Sequence, residues 1–117
     1  MISAKTAIGP DCPVVGGGAC GFLYSHNHWT QILPGTGLLA ASADGINNNG
    51  VIVGTYLVDN MGTTSEHGFS YSDGTYTTFD FPGAIDTSLL DLNRRGKLVG
   101  FATFSDANGL VAFQYKP

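Results

Sequence analysis

The sequence predicts an all-β fold built of antiparallel four-stranded units, and three observations predict it. A segment recurs after 46 residues: Ile46-Asn47-Asn48-Asn49-Gly50-Val51-Ile52-Val53-Gly54 against Leu92-Asn93-Arg94-Arg95-Gly96-Lys97-Leu98-Val99-Gly100, with Asn, Gly, Val and Gly identical at four places. An aromatic segment occurs three times, as Cys20-Gly21-Phe22-Leu23-Tyr24, His67-Gly68-Phe69-Ser70-Tyr71 and Val111-Ala112-Phe113-Gln114-Tyr115. Nearly every apolar run is short, β-branched or aromatic, and bounded by Gly, Asn, Asp or Pro, which is the signature of strands rather than helices. A period of this length marks a repeat architecture.

The most complete unit spans residues 44–83. Its first strand ends at Ile46-Asn47, and an Asn-x-x-Gly turn follows, with Asn bonding back to the backbone and Gly supplying a positive φ. The second strand covers 51–58, with Val51, Val53 and Thr55 on one face and Ile52 and Tyr56 on the other. Residues 59–66 read as a loop. The third strand covers 68–72, Ser72-Asp73-Gly74 is a hairpin turn, and the fourth strand covers 76–81, stopped by Pro82-Gly83. Residues 38–43 form the one candidate helical turn, too short to carry a helix.

The flanking units are partial. The first, residues 1–35, opens on the end of a second strand, with Ile8-Gly9 taken as the counterpart of Val99-Gly100; its fourth-strand segment, Trp29-Thr30-Gln31-Ile32-Leu33-Pro34-Gly35, aligns with Thr77-Thr78-Phe79-Asp80-Phe81-Pro82-Gly83 and sets Trp29 against Thr77. The last, residues 91–117, stops after a third strand. The result is ten strands in about two and a half units within one domain, residues 1–117. Such units resemble the blades of a β-propeller; a β-sandwich or jelly roll is the alternative, since ten strands also suit two packed sheets.

These segments together resemble the bacterial "probable extracellular repeat, HAF family". The residues that carry the resemblance are Gly45-Ile46-Asn47-Asn48-Asn49-Gly50-Val51-Ile52-Val53-Gly54, then His67-Gly68-Phe69-Ser70-Tyr71 and a Pro-Gly turn. It covers residues 6–116 and implies a secreted or surface repeat protein of propeller type. The family's His is Cys20 in the first unit and Val111 in the last.

Composition excludes several functions. Of 117 residues, only 5 are Lys or Arg and 9 are Asp or Glu, giving a net charge of −4. Five cations in the whole chain make no phosphate-neutralising stripe, so nucleic acid is not an expected partner. No run of 18 apolar residues is present, so no membrane span is expected. Met1-Ile2-Ser3-Ala4-Lys5 has no apolar core after a basic start, so no signal peptide is read in this chain. Cys12 and Cys20, joined by the flexible segment 13–19, are expected to form a disulfide and so to imply an oxidising, extracellular or cell-surface location; two independent thiols are the alternative.

The candidate chemistry is sparse. His26, His28 and His67 are the three histidines. His26 and His28 stand two apart, which in a strand puts both imidazoles on one face, and His67 would complete a zinc or copper site. The competing reading makes His26 and His28 turn residues and His67 a structural hydrogen-bonding group. Asp59-Asn60-Met61-Gly62 and Asp106-Ala107-Asn108-Gly109 are candidate structural calcium loops, with ordinary turn chemistry the alternative. No Gly-x-Ser-x-Gly elbow and no persuasive nucleophilic triad occurs. Gly16-Gly17-Gly18 lacks the Lys-Ser/Thr of a phosphate loop. A carboxylate pair for glycoside hydrolysis would need Glu66, the only Glu, with one Asp, and that role is not expected of a loop residue.

Trp29, beside Asn27 and His28, is a candidate sugar-stacking residue. The expectation is therefore an extracellular, non-enzymatic binding or scaffold module without a cofactor, for a glycan or surface protein. Open sheet edges predict a homo-oligomer, with a dimer favoured. The rival is a small secreted metal-dependent enzyme acting on a polysaccharide.

Overall fold

The computed structural model describes residues 2–7, 19–35, 37–105 and 109–116, and these form an all-β, antiparallel structure without a helix. Three separate sheets follow one another along the chain, and none closes on itself. The first is β1 (Ile2–Ala7), β2 (Cys20–Ser25) and β3 (His28–Ile32). The central sheet is β4 (Ala40–Ile46), β5 (Ile52–Asn60), β6 (Thr63–Ser72) and β7 (Thr75–Phe79). The third is β8 (Asp86–Leu92), β9 (Leu98–Thr103) and β10 (Leu110–Tyr115). Every strand pairs with its neighbour in sequence.

Tight turns make these meanders. His26-Asn27, Met61-Gly62 and Asp73-Gly74 have positive φ at both residues, the twist that joins antiparallel strands through two residues. The Asn turns of the central and third sheets match bond for bond. Asn47 Oδ1 accepts from the Asn49 and Val51 N–H groups, and Asn93 Oδ1 accepts from those of Arg95 and Lys97.

The Val-Gly identity has its cause in strand pairing. β4 carries a bulge at Asp44, between the pairs Ala43–Gly54 and Gly45–Val53; β8 carries one at Leu90, between Leu89–Gly100 and Asp91–Val99. The bulge pushes the Ser42 and Ser88 carbonyls to where a Cβ on Gly54 or Gly100 would lie.

The sheets stack, and the central sheet has a core on each face. Ile32, Ala43, Ile52 and Phe69 fill the space toward the first sheet; Val53, Leu89, Leu92 and Leu98 fill the space toward the third. Strand alternation sends Ile52 and Val53 to opposite cores. Gly21 and Gly68 hold matching places in these contacts: a Cβ on Gly21 would lie 2.9 Å from Ala43 Cβ, and one on Gly68 would lie 2.7 Å from Leu89 Cγ.

Four expectations need correction. Residues 38–43 make no helical turn, because β4 starts at Ala40 and pairs with β5. The expected loop 59–66 is mostly strand: β5 and β6 pair out to Asn60–Thr63. The fourth strand of the central unit ends at Phe79, so Asp80 and Phe81 lie beyond it. Trp29 corresponds to Tyr76, not Thr77, because Trp29 pairs with Tyr24 as Tyr76 pairs with Tyr71. Ile8-Gly9 lies outside the described residues; the residue opposite Phe22, where Gly54 faces Phe69, is Lys5.

Candidate functional site

Two groups of side chains stand out. The first lies on the face of the first sheet turned away from the central sheet. Phe22 and Tyr24 on β2 alternate with Leu23, which points the other way into the core, and Trp29 sits across from Tyr24 on β3. The Trp29 ring lies 4.8 Å from that of Tyr24 and meets Phe22 edge-on at 6.4 Å. The Tyr24 hydroxyl donates to Asn27 Oδ1 at 3.0 Å, tying the hairpin turn to the rings. Trp29 is 55% exposed. Of the expected trio, the structure gathers Trp29 and Asn27. His28 opens β3 opposite Ser25 and, by alternation, faces the other way. Phe22 and Tyr24 join the site beside the expected residues, and their recurrence as Phe-x-Tyr is the sequence signal for them.

The second group surrounds His67 on β6. Its Nδ1 lies 2.7 Å from Asp80 Oδ1, its Nε2 lies 3.0 Å from Ser65 Oγ, and its ring stacks on Tyr56 at 5.3 Å. Asn60 Nδ2 donates to Ser65 Oγ at 2.8 Å. With Asp80 as a carboxylate, Nδ1 carries a proton; in the neutral imidazole Nε2 then accepts from Ser65, and the Ser65 oxygen accepts from Asn60. Serine, histidine and aspartate thus fall into the order of a nucleophilic relay. Acyl transfer also needs donors aimed beside the nucleophile, where an oxyanion develops. Asn60 binds the serine oxygen itself instead. The group orders the long β5–β6 hairpin and the segment after β7, which supports the structural reading of His67. Reading 59–66 as a loop hides Ser65; in a strand, Ser65 and His67 share a face.

Among the described residues, no three His, Cys, Asp or Glu side chains gather as a metal set, and His26, His28 and His67 are not brought together. His26 is a turn residue at φ 53, not a strand neighbour of His28. Asp59 Oδ1 accepts from the Gly62 N–H at 2.9 Å, which is turn chemistry; Asp106 and Asn108 lie outside the described residues. Cys20 is buried and disulfide-bonded, and Cys12 lies outside the described residues.

Glu66 serves the contact between sheets: its carboxylate accepts from Ser88 Oγ at 3.0 Å, and its N–H donates to Asp86 at 2.8 Å. Asp44, the bulged residue of β4, shares a cleft with Glu66 and Ser88; burial raises its pKa, and the Ser42 hydroxyl bond opposes the rise. No helix among the described residues is long and apolar enough to cross a membrane. No family model, curated protein or solved structure matches the chain.

Proposed function

We propose that this chain is a non-enzymatic binding or scaffold module of extracellular type, made of four-stranded units in the manner of propeller blades and related to the HAF repeats. The recurrence of bulge, Asn turn and inter-sheet glycine at matching places supports the repeat reading. The observation that carries the binding role is the exposure of Trp29. Its counterpart Tyr76 packs the same way, on Phe69 at 6.1 Å and Tyr71 at 4.9 Å, but inside an inter-sheet contact. An aromatic cluster held by a rigid sheet and open to solvent is a ready stacking surface for a sugar ring or a protein side chain.

Trp29 is the only tryptophan, so its fluorescence reports directly on this surface. Titration with soluble glucan, chitin and galactan oligosaccharides, together with a glycan array, should shift its emission, and Trp29→Ala should abolish the binding. Binding that survives Trp29→Ala would remove this face from the site.

A further inference from the structure

We infer that the open faces of the first and third sheets are the two halves of one contact and join copies of this chain head to tail. The inference deepens the binding reading by naming a second copy as the partner of the aromatic face.

Each internal contact pairs the same two kinds of face. Toward the first sheet, the central sheet presents Phe69, Tyr71 and Tyr76. Toward the third sheet, it presents Val53, Thr55 and Gly68, with Val53 fully buried and Thr55 9% exposed. The first sheet repeats the aromatic kind on its open side, as Phe22, Tyr24 and Trp29, with ring distances within a few tenths of an ångström of those in the central sheet. The third sheet repeats the other kind on its open side. Val99 and Phe101, 46 residues after Val53 and Thr55, are 41% and 37% exposed there. Ala112 pairs with Phe101 as Gly68 pairs with Thr55, and Leu110 beside it is 62% exposed.

The two open faces are therefore not two copies of one surface. One is the aromatic side of a contact and the other is the side that receives it. Position 112 fits this arrangement. Gly68 has no room for a Cβ because Leu89 of β8 presses on it, whereas among the described residues the first sheet, ordered β1-β2-β3, has no strand in the place that β8 takes in the third. A methyl group at Ala112 can then be accommodated. Because the two faces differ, the contact is heterologous, and its rotation decides whether copies close into a ring or run on as a filament. Exposed apolar faces of this kind mark interaction surfaces on soluble domains.

Sedimentation velocity on the chain, from micromolar to millimolar concentration, tests this. The wild type should grow beyond its 12.2 kDa mass as concentration rises. Trp29→Lys and Phe101→Lys each spoil one face and should weaken association roughly tenfold or more, the loss typical of a central interface residue. Val99→Lys is a second variant on the receiving face, and far-UV circular dichroism checks that each variant is folded. Mixing Trp29→Lys with Phe101→Lys leaves one intact face on each partner. The mixture should form a species of twice the chain mass that grows no further. A wild type that stays monomeric, folded variants that associate normally, or a mixture that fails to pair would overturn the proposal. Absence of self-association together with retained oligosaccharide binding would remove this partner and leave the binding reading intact.

Discussion

Phe69, Tyr71 and Tyr76 of the central sheet and Phe22, Tyr24 and Trp29 of the first sheet are the same arrangement in two environments. In the central sheet, Phe69 is fully buried, and Tyr76 Oη accepts the Leu33 N–H at 3.0 Å from the neighbouring sheet. In the first sheet, Trp29 stands in solvent. The rings pack alike within each sheet, so the stacking within a cluster comes from the hairpin register. What the neighbouring sheet adds is burial, and with it most of the stabilisation, since apolar area removed from water is what counts. The covered cluster holds the fold together, and the open one keeps Trp29 in solvent.

Mutations should separate the two roles. The largest effect should come from Phe69→Ala, which empties a fully buried site and should cost about 3–5 kcal/mol by urea unfolding, against well under half of that for Phe22→Ala. Equal losses would mean that the first cluster is as structural as the second. Gly68→Ala should come next, at about 1–3 kcal/mol, because its methyl meets Leu89 with no space to give. Ala112→Gly, at the matching place on an open face, should stay within about 1 kcal/mol of wild type.

The covered cluster should also carry a pH signature. Burial, helped by Tyr71 and opposed by the Leu33 N–H bond, raises the Tyr76 pKa above its ordinary 10.0. The folded state thus favours the neutral phenol. This contribution is complete below the unfolded value and is lost as the pH rises through the raised one. Thermal unfolding should show an alkaline decline that Tyr76→Phe reduces, and an unchanged decline would remove Tyr76 as its source.

The smallest stability changes belong to exposed groups. Trp29→Ala should shift stability by no more than about 1 kcal/mol while abolishing binding at the aromatic face. Asp80→Asn should cost no more than about 1 kcal/mol, as for other substitutions at an exposed carboxylate, and should leave β6 in place. A larger loss on urea unfolding would show that the Ser65–His67–Asp80 chain holds the hairpin more firmly than its exposure implies.

Within residues 19–116, nine strands, their neighbours and most of their turns are legible because these depend on local chemistry. Asn47 and Asn93 close their turns with bonds no more than four residues away, and Gly50 and Gly96 take the positive φ those turns require. Alternation along 51–58 likewise separated the two faces of β5, since a strand's period is a property of the backbone. Where a feature depends on two strands at once, the sequence was silent. The bulges at Asp44 and Leu90, the extension of β5 and β6 to Asn60–Thr63, and the register that sets Trp29 against Tyr24 all follow from pairing. So does the approach of Ser65, His67 and Asp80, which draws on β6 and the segment beyond β7. The exposure of Trp29 lies a step further, because it is set by which sheet face is covered. The sequence by itself determined the strands and turns, whose energies are local. Only the tertiary structure decided which aromatic cluster became core and which remained surface, because burial depends on what stands opposite.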